Sequence, residues 1–260
     1  MSASRLPTLF ISHGSPMMAV EPGTAGTHWQ MLASSLPRPA AILMISAHWT
    51  TTQPTISAPA TNQTIHDFGG FPDTLYQLSY PAPVAHELAS RTQALLEHAG
   101  IPAHIDRQRG LDHGAWVPLM QMYPDADVPV IQLSVQPGQS PAWHLQLGAA
   151  LSPLRDEGVL IIGSGGMTHN LRDVQFGVAD DQAYEYVFAF QQWMADALSS
   201  DQTTPLAQYR TQAPGATRAH PTDEHLLPVF VARGAATGSA TRLFNGISLA
   251  ALALDVWCFD

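Results

Sequence analysis

Lysine is absent: all 11 basic residues are arginines. That excludes Schiff-base and pyridoxal-phosphate lysines and the phosphate loop that ends in lysine. Cysteine is nearly absent as well. A lone Cys258 cannot form an internal disulfide or a multi-cysteine metal site, and it fits a reducing compartment. Charged residues make up only 12% of the chain, with 21 acidic residues and a net charge of −10. No basic run occurs, so neither nucleic acid nor an anionic membrane is expected as a partner. No apolar run approaches the roughly 18 residues of a membrane span. The N-terminus shows no long apolar targeting segment, which makes the cytoplasm the expected location. The 260 residues, 45% hydrophobic, suffice for one sizeable core, and no break in composition divides 1–260 into separate domains.

Histidine is abundant, with twelve residues, and its placement is patterned. Leu9-Phe10-Ile11-Ser12 reads as a buried strand that runs into His13, after which Gly14-Ser15-Pro16 turns the chain. Ile42–Ala47 runs into His48-Trp49, and Val159–Ile162 runs into Gly163-Ser164-Gly165-Gly166-Met167-Thr168-His169. Three buried strands thus each deliver a histidine near the carboxyl end, the edge at which open α/β sheets bind ligands. His225 stands in His220-Pro221-Thr222-Asp223-Glu224-His225, and His113 follows Asp112 in a Gly-bounded loop. Imidazole suits iron, zinc, copper and nickel. The Gly163–Gly166 run reads either as a strand-to-helix turn or as a phosphate cradle, and no lysine supports the cradle. His28, His86, His98, His104 and His144 fall on helix faces or in plain strands and read as structural.

The remaining pattern alternates strands with helices. Strands are expected at 7–12, 40–47, 53–58, 103–106, 128–135, 158–163, 241–244 and 252–259. Helices are expected at 27–36 with Thr27 as cap, 83–99, 117–122, 141–157, 180–199, and 221–235 with a kink at Pro228. This predicts an α/β domain with a central, mostly parallel or mixed sheet flanked by helices and a metal site at the strand carboxyl ends. The loop Ile65-His66-Asp67-Phe68-Gly69-Gly70-Phe71-Pro72 is too apolar to face bulk water and is expected to line a cleft.

The segments LFISHGSP, ISAHW, HDFGGFP, LDHGAW, GSGGMTHNL and HPTDEHLLP, in this order, resemble the class III extradiol ring-cleavage dioxygenases, and among them the DOPA-extradiol-dioxygenase-like branch. The resemblance runs from about residue 7 to 259. It implies a non-haem Fe(II) centre that opens a catechol ring, 4,5-DOPA or a related one, with O2; Zn(II) can occupy the same pocket. It matches His13, His48 and His225 to metal ligands and His169 to a fourth ligand or an acid/base. It matches His113 to an acid/base that also contacts substrate. Glu224, beside His225, is of the residue type that the wider class uses at that corner. Ser15, Trp49, Phe68, Phe71 and His220 fall in the matched motifs as substrate contacts, with Trp116 as a further aromatic wall. No arginine lies inside a matched motif to hold a substrate carboxylate. Monomer and homodimer are both compatible with a chain of this size.

Two other readings use the same histidines. A zinc hydrolase would activate a metal-bound water and need neither Fe(II) nor O2. A metal-binding scaffold would have no use for His113 and His169 beside the ligand set.

Overall fold

Runs such as Leu9-Phe10-Ile11 and Leu160-Ile161-Ile162 have no polar face, so the sheet that they build must be covered on both sides. The computed structural model describes residues 5–179, 182–200 and 203–260. Along the chain come β1 (Thr8–Ser12), α1 (Gly23–Ser35), β2 (Ala41–Thr50), β3 (Thr55–Ser57), α2 (His86–His98), β4 (His104–Asp106) and α3 (His113–Met122). They are followed by β5 (Val130–Val135), α4 (Pro141–Leu151), β6 (Val159–Gly165) and α5 (Glu185–Ser199). Three short helical turns, α6 (Thr203–Ala207), α7 (Tyr209–Gln212) and α8 (Ala216–Ala219), lead to α9 (Leu227–Ala235), β7 (Ala240–Ser248) and β8 (Leu252–Phe259). The strands form one mixed sheet in the order β4-β3-β5-β2-β6-β1-β8-β7. Its centre, β5-β2-β6-β1, is parallel, and β8 and β7 close one edge antiparallel. This is the α/β domain that the pattern predicts.

Side-chain alternation divides the core between the two faces of the sheet. Phe10, Leu43, Ile45, Leu133 and Ile161 pack under α2, α4, α5 and α9. Leu9, Ile11, Ile42, Met44, Leu160 and Ile162 pack against α1 and α3.

Prolines account for some of the departures from the expected boundaries. Pro22 precedes α1, which starts at Gly23, and Thr27 lies inside it with its hydroxyl on the Gly23 carbonyl rather than at a cap. The helix that begins at Pro141 stops at Leu151, because Pro153 cannot continue the ladder; a 3-10 segment carries the chain to Glu157. Pro228 stands in the first turn of α9, where its missing N–H costs nothing, so the kink expected there does not form and residues 221–226 are turn. Pro118 sits inside α3, which starts at His113 rather than 117. β2 extends to Thr50 and β7 to Ser248. The longest helix begins at Glu185; Asp180 and Asp181, where the pattern places its start, lie outside the described residues.

Two glycines let α4 and α9 touch backbone to backbone. A Cβ on Gly148 would meet the Val231 carbonyl at 2.1 Å, and one on Gly234 would meet the Leu145 carbonyl at 2.1 Å. The contact fixes α9, and with it the segment before α9 that carries His225. Gly148→Ala is expected to destabilise the fold by about 1–3 kcal/mol through overpacking, read as a lower urea midpoint at unchanged m-value.

Candidate metal centre and active site

β1 and β2 lie on either side of β6, so the carboxyl ends of three adjacent parallel strands converge. His13 is the first residue after β1, and its backbone N–H donates to the Gly165 carbonyl at 3.0 Å. His48 lies near the end of β2, in the stretch between Ile45 and Thr50 where the register against β5 shifts; such irregularities re-aim a side chain at a sheet end. His225 comes from the turn before α9. Its carbonyl accepts from the Gly166 N–H at 2.9 Å, and a Cβ on Gly165 would stand 2.0 Å from that same carbonyl. The Gly-Ser-Gly-Gly run is therefore neither a plain turn nor a phosphate cradle. It is bare backbone against which the His225 segment lies.

The three rings present their Nε2 atoms to one another. His48 Nε2 is 3.0 Å from His13 Nε2 and 3.3 Å from His225 Nε2. Their Nδ1 atoms face oxygens: His13 the Ser164 hydroxyl at 2.9 Å, His48 the Asp67 carboxylate at 3.4 Å, His225 the Glu224 carboxylate at 3.2 Å. Burial, reinforced by the neighbouring imidazoles, holds His13 and His225 well below the ordinary histidine range. Burial also brings His48 down to about 4. All three are neutral at pH 7, so each ring has one nitrogen free to accept. Two imidazole nitrogens bound to one ion at about 2.0–2.1 Å sit about 3 Å apart, so the donor set fits a single transition-metal ion. Other groupings of possible donors overlap this one, His13 with His48 and His113, and His169 with Glu224 and His225. His48 links the two groupings, with its Nε2 close to both His13 Nε2 and His225 Nε2.

Around this point, His113 Nδ1 donates to Asp67 Oδ1 at 3.0 Å, and the His113 backbone N–H donates to the same oxygen at 2.9 Å. Burial would raise the Asp67 carboxyl, but the hydrogen bond and charge of His113 outweigh it and hold the group down at about 2. His169 lies flat on His225, with ring centroids 3.4 Å apart and 6° between planes, and burial lowers it to about 4. Its donor nitrogen lies within 4.8 Å of the donor atoms of His225 and Glu224, so both the fourth-ligand and the acid/base reading of His169 stay open.

A cavity of about 320 Å³ opens onto the cluster, with His13, His48, His113 and His169 in its wall. Ser15, Phe68 and Phe71 line it as predicted. Trp49 and His220 do not line it. Trp49 alternates with His48 and so faces away, under the Arg109 guanidinium. His220 is fully buried behind the wall, its Nε2 on the Met167 carbonyl at 2.9 Å and its ring against Phe190. Trp116 likewise belongs to the core, its indole N–H on the Ile65 carbonyl. Sequence reasoning missed Asp67, Ser164 and the apolar rim. Leu171 and Phe176 on that rim are 65% and 84% exposed. Leu249 reaches the cavity from the three-residue connection 249–251 between β7 and β8, in which Leu249 and Ala250 both have positive φ, 52° and 62°, a backbone that usually calls for glycine. A larger hollow beside Arg91 and Glu157 holds no comparable convergence of donors.

Residues 7–249 match the family model of the catalytic LigB subunit of aromatic ring-opening dioxygenase. The chain belongs to the LigB family. Among curated relatives of this LigB-family enzyme, the 4,5-DOPA dioxygenase extradiol of Beta vulgaris is 47% identical over 234 residues, covering 88% of this chain and 86% of that one. The protein of the same name from Escherichia coli K12 is 41% identical over 260 residues, covering 98% and 94%. The crystal structure of an uncharacterized Escherichia coli K12 protein superposes with a TM-score of 0.86 at 35% identity, covering 98% of this chain and 100% of that one. The LigB-family chain is an extradiol aromatic ring-opening dioxygenase, which displaces the zinc-hydrolase and scaffold readings. Among the described residues, no helix is long and apolar enough to cross a membrane.

Two predictions follow from this geometry. Gly165→Ala is expected to push the His225 carbonyl away and weaken metal binding about tenfold or more, measured by competition with a chelating dye. The second concerns the metal-free protein. His48, His144, His169 and His220 are each lowered to about 4, chiefly by burial. On acidification the unfolded chain therefore takes up protons first. Stability is full above about pH 6.5 and falls between 6.5 and 4. Asp255, raised to about 6 by burial, works in the opposite sense and offsets part of the loss. Urea midpoints from pH 8 to 4 should show the net decline.

Proposed function

We propose that this enzyme cleaves a catechol, 4,5-DOPA or a close relative, beside its two hydroxyls with O2, using Fe(II) held by the Nε2 atoms of His13, His48 and His225. The observation that carries the reading is the approach of His48 Nε2 to both His13 Nε2 and His225 Nε2, with His13 and His48 in the wall of a cavity that Phe68 and Phe71 also line. Three imidazoles suit Fe(II) and also Zn(II), so zinc is expected to compete for the site. Bound Fe(II) supplies a redox-active Lewis acid with positions left open for both substrates.

The residues of the chain supply position and protons. Phe68 and Phe71, edge to face at 5.4 Å between centroids, wall the catechol ring and exclude water. Ser15, whose hydroxyl is steadied by the Met17 N–H at 3.2 Å, offers an oxygen to a substrate hydroxyl. Asp67, ionised throughout the physiological range, accepts from His113 Nδ1–H, and this leaves His113 Nε2 free to take a proton from the catechol. His169, neutral at pH 7 and in the wall of the same cavity, is a second group able to hold or release a proton beside the substrate. The 4,5-DOPA relatives support the substrate class.

The decisive assay loads metal-free protein with Fe(II) under argon and mixes it in air with L-DOPA and a panel of smaller catechols. O2 uptake matched by a yellow ring-opened product is expected with Fe(II) and not with Zn(II). His113→Ala and His169→Ala should each lower kcat by about 10²–10⁴ while retaining metal. Iron-loaded protein that consumes no O2 with any catechol would overturn the proposal.

A further inference from the structure

The site contains a hydrogen-bond relay that begins at a proline. Pro118 lies inside α3 and has no N–H, so the Gly114 carbonyl one turn earlier lacks its helical donor. The Ser164 hydroxyl, fully buried on β6, donates to that carbonyl. A carbonyl can only accept, so the single hydroxyl proton of Ser164 is committed to it. The serine oxygen, 2.9 Å from His13 Nδ1, is then left with lone pairs alone. His13 Nδ1 must be the donor in that contact, and its Nε2 must carry the lone pair.

We propose that Ser164 is a positioning residue which, through the carbonyl that Pro118 leaves free, locks His13 in the Nδ1–H tautomer and keeps Nε2 available to the metal. This rests on the reading of His13 as a ligand. The sheet explains why the task falls to this residue: Ser164 pairs with Ile11 on one side and Ser46 on the other, so it lies between the strands that deliver His13 and His48. The other two rings have carboxylates at Nδ1, Glu224 and Asp67. A carboxylate fixes a tautomer by charge; a hydroxyl can donate as readily as accept, and fixes one only when its own proton is engaged elsewhere. Without the proline, the residue 118 N–H would compete for the Gly114 carbonyl, and the hydroxyl could turn to donate to Nδ1.

The test reads the tautomer and the metal rather than turnover. Nitrogen-15 NMR of histidine-labelled, metal-free protein should show His13 as a single Nδ1–H tautomer. Ser164→Ala, or Ser164→Cys should the alanine variant fail to fold, is expected to mix in the Nε2–H form and to weaken Fe(II) and Zn(II) binding by about 10–100-fold. Pro118→Ala should shift both readouts in the same direction by a smaller factor. An Nε2–H tautomer in the wild-type protein overturns the proposal. So does an unchanged tautomer in the variants with metal affinities within twofold of wild type. If the wild-type protein binds neither metal, the ligand reading itself has failed, which is a separate result.

Discussion

Three neutral imidazoles stand with His48 Nε2 at 3.0 Å from His13 Nε2 and 3.3 Å from His225 Nε2, in a buried pocket where a misplaced polar group is costly. The three rings come from distant parts of the chain, so the rest of the fold must bring them together. Burial keeps protons off the rings, an oxygen at each Nδ1 orients them, and the backbone brings their Cα atoms within reach.

The backbone part of this task falls to residues without side chains. Gly165 admits the His225 carbonyl, Gly163 admits the Pro228 carbonyl at 2.4 Å, and Gly148 and Gly234 seat α9 on α4. The end of β6 is thus a surface against which a distant segment lies flat. Its only reaching side chain, Ser164, points at His13 on the neighbouring strand. The same economy of volume appears at Gly114, where a Cβ would meet the Ser46 hydroxyl at 2.4 Å, the hydroxyl that bonds Asp112 beneath the start of α3.

How much of this is legible in the sequence depends on the kind of signal. Apolar runs that end in histidine place His13, His48 and His169 at one edge of the sheet, because strand direction and side-chain alternation are local properties. The aromatic loop around Phe68 and Phe71 is legible because so apolar a loop needs cover. Trp49 and His220 mislead for a common reason: adjacency in a motif does not say which way a side chain faces. Trp49 is on the wrong side of β2, and His220 fills space behind the wall. Asp67 and Ser164 are illegible because an aspartate in a loop and a serine between glycines are common, and their meaning comes only from partners 46 and 151 residues away. The positive φ of Leu249 and Ala250 is hidden because neither residue is one that turn chemistry favours.

The separation of the clustered imidazoles has a consequence for the life of the chain. His48 and His225 are 177 residues apart in sequence, and the segment that carries His225 docks against a strand made long before it. During synthesis the site therefore stays open until almost the whole chain has emerged, because contacts of such long range form only after the intervening chain is ordered. A truncated or stalled chain that ends before residue 225 lacks one of the three clustered imidazoles. The topology thus leaves the histidine cluster incomplete until the sheet and cavity around it have been built.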